Sequence, residues 1–118
     1  MSRVFVIQNH LRYDSAKGEL VPRYDINPAR EFGEIVFVLP PRTTMNEPAR
    51  VIGVITEALR DFCDDDHLLL IGNPCFIGWA VAIAASRNSG RVRTLVWSSN
   101  RYASVAATLP VRATKVSS

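Results

Sequence analysis

The sequence predicts an α/β fold: a small, mostly parallel, Rossmann-like sheet of about five strands with two helices and a C-terminal hairpin. Three observations predict this class. Short apolar runs alternate with segments of helical periodicity. The chain has 118 residues, which suits one hydrophobic core. Its content of 47% hydrophobic and 21% charged residues excludes an intrinsically disordered protein.

The first two strands are predicted from unbroken apolar runs. Residues 4–7 and residues 35–39 are rich in β-branched and aromatic side chains, and Gly33 and Pro40 bound the second run. Runs of this kind are typical of strands that are buried on both faces.

A long loop, residues 9–33, separates these two strands and lacks periodicity. Compact domains rarely keep such a loop without using it. Within it the triplet Arg12-Tyr13-Asp14 recurs as Arg23-Tyr24-Asp25, but nothing around the two copies matches. Asn27, followed by proline, predicts a single helical turn that packs Phe32 against the sheet edge.

The first helix and the third strand follow the second strand. Asn46 is predicted to cap the helix, with the following Glu-Pro pair in its first turn. Apolar residues at helical spacing continue over residues 51–62, and the helix is expected to end before the acidic residues 64–66. Residues 68–71 predict a third buried strand.

A second helix and a hairpin complete the fold. Asn73 and the proline after it open a helix that is predicted to run to about Asn88, where a nearby glycine closes it. Residues 92–97 and 102–108 predict the last two strands, and residues 98–101 form the turn between them.

We expect residues 1–110 to form a single α/β domain and residues 111–118 to form a polar, flexible tail. Residues 68–85 carry no charge, but Gly72-Asn73-Pro74 interrupts them, so no membrane span and no membrane partner is predicted. Two cysteines in helical surroundings, with no signal-peptide pattern before them, indicate the cytoplasm rather than a disulfide framework or a zinc site.

Several segments carry a resemblance to a known group. They are residues 24–36, the run Leu69-Leu70-Ile71-Gly72-Asn73-Pro74 with its alanine-rich helix, and residues 90–102. Together they resemble small uncharacterised α/β proteins encoded by tailed bacteriophages and prophages. The resemblance implies a phage accessory protein that acts in the bacterial host cytoplasm. It supplies no catalytic residue to carry over.

Ligands of open parallel sheets bind beyond the carboxyl ends of the strands. The turn that begins at Gly72 is the strongest candidate there, because glycines and a helix N-terminus offer N–H groups and positive charge to an anion. The turn lacks both the Walker A Lys-Ser/Thr pair and the dinucleotide fingerprint, and it is also explained as a helix cap. The candidate ligand-binding residues at this edge are Asn9, His10, Arg42, Gly72, Asn73 and Ser98.

Charge is unevenly distributed along the chain. Residues 1–66 hold eight basic and all eleven acidic residues, whereas residues 67–118 hold six basic residues and no acid. The asymmetry indicates either an anion-binding surface or only the placement of solubilising charge. Arg91 and Arg93 share a strand face, and we expect Arg101 opposite them on the returning strand, as candidates for nucleic-acid binding.

No residue is predicted to be catalytic and no cofactor is implied. His10 is not predicted to act as a general base, because no sequence motif places a serine or cysteine nucleophile beside it. No metal site is predicted either. Asp64, Asp65, Asp66 and His67 are consecutive, so they cannot all bind one ion, and they are expected to form a solvated acidic turn.

The second helix is apolar all round until Ser86 and therefore needs cover on every side. Either the long loop lies over it, or the protein forms a homo-oligomer or binds a protein partner.

The sequence thus favours a small phage-type accessory binding protein, which acts through protein contacts or through an anionic, phosphate-containing ligand at the strand carboxyl edge. One alternative is a small enzyme on nucleotides or phosphoesters, with His10 and Asn73 around a phosphate. The other is a nucleic-acid-binding protein that uses the acid-free, arginine-bearing C-terminal half.

Overall fold

The apolar runs of the sequence form the strands of a central sheet, and the periodic segments form helices against it. The computed structural model describes residues 2–111. In chain order the elements are β1 (Arg3–Gln8), β2 (Leu11–Asp14), β3 (Glu19–Pro22), a 3-10 helix (Asn27–Phe32), β4 (Glu34–Leu39), α1 (Pro48–Ala58), β5 (His67–Leu69), α2 (Pro74–Arg87), β6 (Arg91–Ser98) and β7 (Arg101–Thr108).

The central sheet has five strands in the order β4-β1-β5-β6-β7, and β2 and β3 form a separate hairpin. Four strands are parallel, and β7 returns antiparallel to β6. Ser99 and Asn100, with φ of 52° and 64°, form the tight turn between β6 and β7. Two-residue hairpin turns with positive φ match the natural twist of the strands. The predicted parallel sheet with its C-terminal hairpin is confirmed.

Alternate residues of β1 enter two separate hydrophobic clusters. Phe5 and Ile7 pack beneath α1 and α2, and we call this side of the sheet the helix face. Val4 and Val6 pack on the opposite side with Ala29 of the 3-10 helix. Because all four side chains are almost fully buried, β1 is the centre of the fold.

The long loop differs from its prediction over residues 11–22, which form the β2–β3 hairpin. The helical turn predicted from Asn27 is confirmed as the 3-10 helix, although Ile26 rather than Asn27 holds the N-cap position. Phe32 packs against the sheet, with its ring centroid 5.5 Å from that of His67. The 3-10 helix lies on the face opposite α2 and does not cover it.

Both α-helices begin with proline. Asn46 was expected to cap α1, but Glu47 occupies that position and Pro48 is the first helical residue. At α2 the prediction is correct, because the Asn73 side chain accepts a hydrogen bond of 2.8 Å from the Cys75 amide. Apart from Pro74 and Arg87 at its two ends, the exposed residues of α2 are small, so the helix shows little large apolar surface; they are Cys75, Gly78, Ala82 and Ser86.

The acidic turn is not wholly solvated as predicted, because Asp66 is completely buried. Its carboxylate accepts hydrogen bonds from the Arg3 side chain at 2.9 Å and from the Cys63 amide at 3.0 Å. A buried carboxylate is tolerated only where donors and an opposite charge satisfy it. Asp66 therefore joins the start of β1 to the turn before β5, while Asp64 and Asp65 remain exposed.

Among residues 2–111, no helix has the length and apolar character needed to cross a membrane. Of the predicted flexible tail, residues 112–118 lie outside the described residues.

Candidate functional site

The order of the strands reverses direction at β1. The chain leaves β1 toward β4 on one side of the sheet, whereas it leaves β5 toward β6 and β7 on the other. The two connections also run over opposite faces, through the 3-10 helix and through α2. Such a reversal opens a crevice at the carboxyl ends of the two central strands, where ligands of open α/β sheets bind.

A cavity of about 660 Å³ lies at this crevice, on the face opposite the helices. Its apolar part comes from Leu69, Ile71 and Leu95 at the ends of β5 and β6. Polar and aromatic side chains surround this apolar part. We call the cavity the carboxyl-edge groove, and its other principal lining residues are His10, Arg23, Tyr24, Asp25, Gly72, Trp97 and Tyr102.

One wall of the groove is an aromatic pair at the base of the β2–β3 hairpin. The Arg23 amide donates a 2.7 Å hydrogen bond to the His10 carbonyl, which closes the hairpin and brings its two ends together. The rings of His10 and Tyr24 are stacked, with centroids 6.3 Å apart and planes inclined by 22°. The Arg23 guanidinium carbon lies 5.8 Å from the centre of the Tyr24 ring.

A second, cross-strand aromatic pair on β6 and β7 also lines the groove. Trp97 and Tyr102 are direct partners in the strand register, and their rings meet edge to face at 4.8 Å. Tyr102 is buried, whereas 52% of Trp97 is exposed. Burial, with a smaller contribution from the negative charge of Asp25, raises the pKa of Tyr102 above its ordinary value of 10.0. The phenol is therefore neutral at physiological pH.

Gln8 fixes the loops behind the groove. Its side-chain oxygen accepts a 3.0 Å hydrogen bond from the Asn73 amide. Its side-chain nitrogen donates to the carbonyls of Pro40, Pro41 and Thr43 at 3.2–3.4 Å. One buried amide thus connects the segments that follow β1, β4 and β5, as expected for a buried polar group with satisfied hydrogen bonds.

Gly72 is required by this packing. Its φ is +133°, and a Cβ atom built on it would lie 2.6 Å from Cβ of Gln8. Only glycine allows the loop after β5 to approach β1 so closely.

Of the six predicted ligand-binding residues, His10 and Gly72 line the groove together. Asn73 lies behind it as the cap of α2. Asn9 and Arg42 line two other surface depressions. Ser98 is the last residue of β6 and is exposed beside the hairpin turn.

Of the three arginines predicted to bind nucleic acid, Arg91 and Arg93 share a face of β6 and line one surface depression, whereas Arg101 lies apart from them. Arg91 forms a salt bridge of 3.0 Å with Asp64, and the same hydrogen bond lowers the pKa of that carboxyl group. Arg93 lies opposite an alanine of β7, and Arg101 lies opposite Ser98. The expectation that Arg101 faces the other two is wrong, because the hairpin turn places it at the far end of β6 and on the other face.

A protein-family model described as Phage Pam3 gp32-like protein matches residues 2–109. The chain belongs to this family. The resemblance to small phage-encoded proteins is therefore confirmed. No match was found among the curated proteins or among the solved structures.

Several residues of the groove were not predicted as site residues. Arg23, Tyr24 and Asp25 belong to the repeated triplet, and the unusual length of the loop that holds them was the only sequence signal that pointed to them. Trp97 and Tyr102 belong to the predicted hairpin, but only the structure shows that they line one cavity with His10 and Tyr24. In residues 2–111, no group of three or more His, Cys, Asp or Glu side chains is arranged to hold a metal ion.

Proposed function

We propose that this phage protein is an accessory binding protein that holds a nucleotide, an anionic ligand with a planar ring, in the carboxyl-edge groove. The observation that carries the proposal is the pair of aromatic walls, His10 with Tyr24 and Trp97 with Tyr102, around one cavity that also contains Arg23.

The walls suit a planar ring. Stacking of a base on an aromatic side chain contributes roughly 1–3 kcal/mol and tolerates different bases. Trp97 is half exposed and lines the groove, so part of its side chain is accessible to a ligand there. The cavity of about 660 Å³ also falls in the size range of small-molecule sites.

Arg23 suits the phosphate. A guanidinium group binds phosphate oxygens through two parallel hydrogen bonds. Among the described residues, Arg23 forms no salt bridge with a carboxylate that would compete for it. Arg101 lies on the other face from Arg91 and Arg93, and Arg91 is paired with Asp64, so the three do not form the continuous basic surface that favours a nucleic-acid strand over a small ligand.

Calorimetric titration with nucleoside monophosphates, the matching nucleosides and inorganic phosphate tests the proposal. Trp97→Ala should weaken binding of every nucleotide roughly 5- to 100-fold, which corresponds to the loss of one stacking platform. Arg23→Ala should weaken nucleotides and leave nucleosides unchanged. Phe37→Ala and Arg87→Ala are matched controls, because both side chains are exposed and neither lines the groove.

Absence of nucleotide binding at millimolar concentration, or equal affinity in wild type and Trp97→Ala, would contradict the proposal. The same samples separate binding from catalysis. Turnover of a bound nucleotide or phosphoester that His10→Ala abolishes without loss of affinity would replace the binding role by the enzymatic one.

A further inference from the structure

In the part of the chain that the structure describes, residues 2–111, strand β7 is a sheet edge that lacks most of the protection such edges usually have. Within these residues it pairs only with β6, in an unbroken register of eight residue pairs without a bulge. No charged residue and no proline occurs in residues 102–108. Monomeric proteins commonly blunt an edge strand with charge, proline, a bulge or a covering element, because its free backbone groups pair with other chains.

The opposite edge of the sheet differs. β4 begins with Glu34 and is followed directly by Pro40 and Pro41. The charge of Glu34 is matched by that of Arg101 at the start of β7, but the two prolines end β4 after six residues, whereas β7 continues for eight. Among residues 2–111, β7 is therefore the longer edge that can accept a further strand.

The backbone groups that β7 presents to solvent follow from its pairing with β6. The Leu109 amide donates a 2.8 Å hydrogen bond to the Gly90 carbonyl on the β6 side. In an antiparallel pair, residues alternate between bonding toward the partner strand and pointing away from it. The outward N–H and C=O groups consequently belong to Tyr102, Ser104, Ala106 and Thr108.

The helix face of β6 and β7 is largely apolar at this edge, and no element among residues 2–111 covers it there. Val92 packs beneath α2, so alternation places Val96 and its β7 neighbours on the same face. Val96 and Val105 are each 46% exposed, and Ala103 and Ala107 are exposed between them. An apolar strip beside free backbone groups is what a strand-pairing interface buries.

We infer that β7 pairs antiparallel with β7 of a second copy of this chain, about a two-fold axis at Val105, to form a continuous ten-stranded sheet. A two-fold interface requires a surface that matches itself. Pairing about Val105 places Ser104 opposite Ala106 of the second copy and Tyr102 opposite Thr108 of the second copy, so all the outward backbone groups are used.

Charge and packing favour the same arrangement. The two copies of Val105 meet at the axis, where directly opposed side chains are in contact. Arg101 falls opposite Leu109 of the second copy, so no like charges meet. Because each copy contributes the same edge and β4 stays outermost, the assembly closes as a dimer and does not extend into a fibre. The inference does not depend on the nucleotide proposal.

The mass of the full chain in solution, measured by light scattering and sedimentation over a range of concentrations, tests the inference. The expected mass is twice 13.1 kDa. Val105→Lys places two like charges at the axis, and Ala106→Pro removes an outward N–H without touching the ladder to β6. Both variants should be monomeric at concentrations where the wild type is dimeric.

Phe37→Lys is the matched control, since Phe37 is 50% exposed on the opposite edge strand and its variant should remain dimeric. Circular dichroism confirms that each variant is folded. Hydrogen exchange supplies a second measurement, in which the amides of Ser104 and Ala106 should gain protection as the concentration rises. A monomer at all concentrations, a larger polymer, or a dimer that both β7 variants leave intact would overturn the inference.

Discussion

At the scale of single residues, two buried ionisable groups sit side by side at the amino end of β5, and they are satisfied differently. Asp66 accepts hydrogen bonds from both the backbone and the side chain of Arg3. His67 bonds through Nε2 to the Ser104 hydroxyl at 2.9 Å, but its Nδ1 is buried and has no hydrogen-bond partner in residues 2–111. Among the described residues, therefore, the Asp66 carboxylate has hydrogen-bond partners, whereas one buried ring nitrogen of His67 has none.

This difference predicts a pH dependence of stability. Burial, assisted by the positive charge of Arg93 and opposed by Asp66, lowers the pKa of His67 below 6.5. The unfolded chain then binds a proton at a higher pH than the folded chain does, so the free energy of unfolding falls as the pH drops through 6.5 toward the folded-state pKa. Well above pH 6.5 His67 is neutral in the folded and the unfolded chain, so it does not lower the free energy of unfolding there.

Urea unfolding of the wild type and of His67→Gln at about pH 7.5 and about pH 5.5 checks this prediction. The variant should lose less stability between the two pH values than the wild type, because glutamine does not take up the proton. An equal loss in both proteins would show that His67 is not protonated preferentially in the unfolded state.

The burial of Asp66 could not be predicted from the sequence around it. Nothing local distinguishes Asp66 from Asp64 and Asp65, and all three were predicted to be solvated. The distinction comes from Arg3, which lies 63 positions away in the sequence. Which of the three aspartates is buried therefore depends on the tertiary contact with Arg3 and not on the local sequence.

At the scale of elements, the strands and helices that bury apolar faces were predictable, and the hairpin that does not bury one was missed. Apolar periodicity located β1, β4, α2 and the β6–β7 hairpin to within a few residues. β2 and β3 have exposed or half-buried side chains throughout, so they show no alternation of apolar and polar residues. The groove wall that this hairpin supports was therefore absent from the prediction.

Gly72, in the segment that joins β5 to α2, and Gly78, in the second turn of α2, give a matched test at this scale. Gly72→Ala should reduce the free energy of unfolding by about 2–4 kcal/mol, because φ is positive and the new Cβ would overlap the side chain of Gln8. Gly78→Ala, in α2 with open space around its Cα, should instead stabilise by about 0.5–1 kcal/mol through helix propensity. Urea unfolding of both variants measures the two values, and a Gly72→Ala protein as stable as the wild type would show that the loop moves away from β1.

At the scale of the whole molecule, the carboxyl-edge rule pointed to the edge where the carboxyl-edge groove lies, but it named only two of the residues that line this candidate site. The rule brought His10 and Gly72 to one edge before the strand order was known. It could not supply Trp97 and Tyr102, because they come from strands whose register places them on one side of the sheet. Nor could it separate Arg42, which follows β4 but lines a different depression.

The β2–β3 hairpin should be dispensable for the fold, although its base forms one wall of the groove. The backbones of His10 and Arg23 already meet in a 2.7 Å hydrogen bond, which is the geometry that a two-residue Asn-Gly turn closes. Replacing residues 11–22 by Asn-Gly should therefore retain His10, Arg23 and Tyr24 in place. Because residues 11–22 contribute no buried side chain to either hydrophobic cluster, the midpoint of thermal unfolding should change by only a few degrees.

Thermal unfolding followed by circular dichroism checks this expectation, and near-ultraviolet spectra of Trp97 and its aromatic neighbours report whether the groove is retained. Deletion of residues 4–13 is the control that shortens the chain equally: it removes most of the buried strand β1 and should leave the chain unfolded. If the Asn-Gly variant also unfolds, the hairpin stabilises the sheet through contacts beyond its own ladder. That result would contradict the expectation that the central sheet folds without the β2–β3 hairpin.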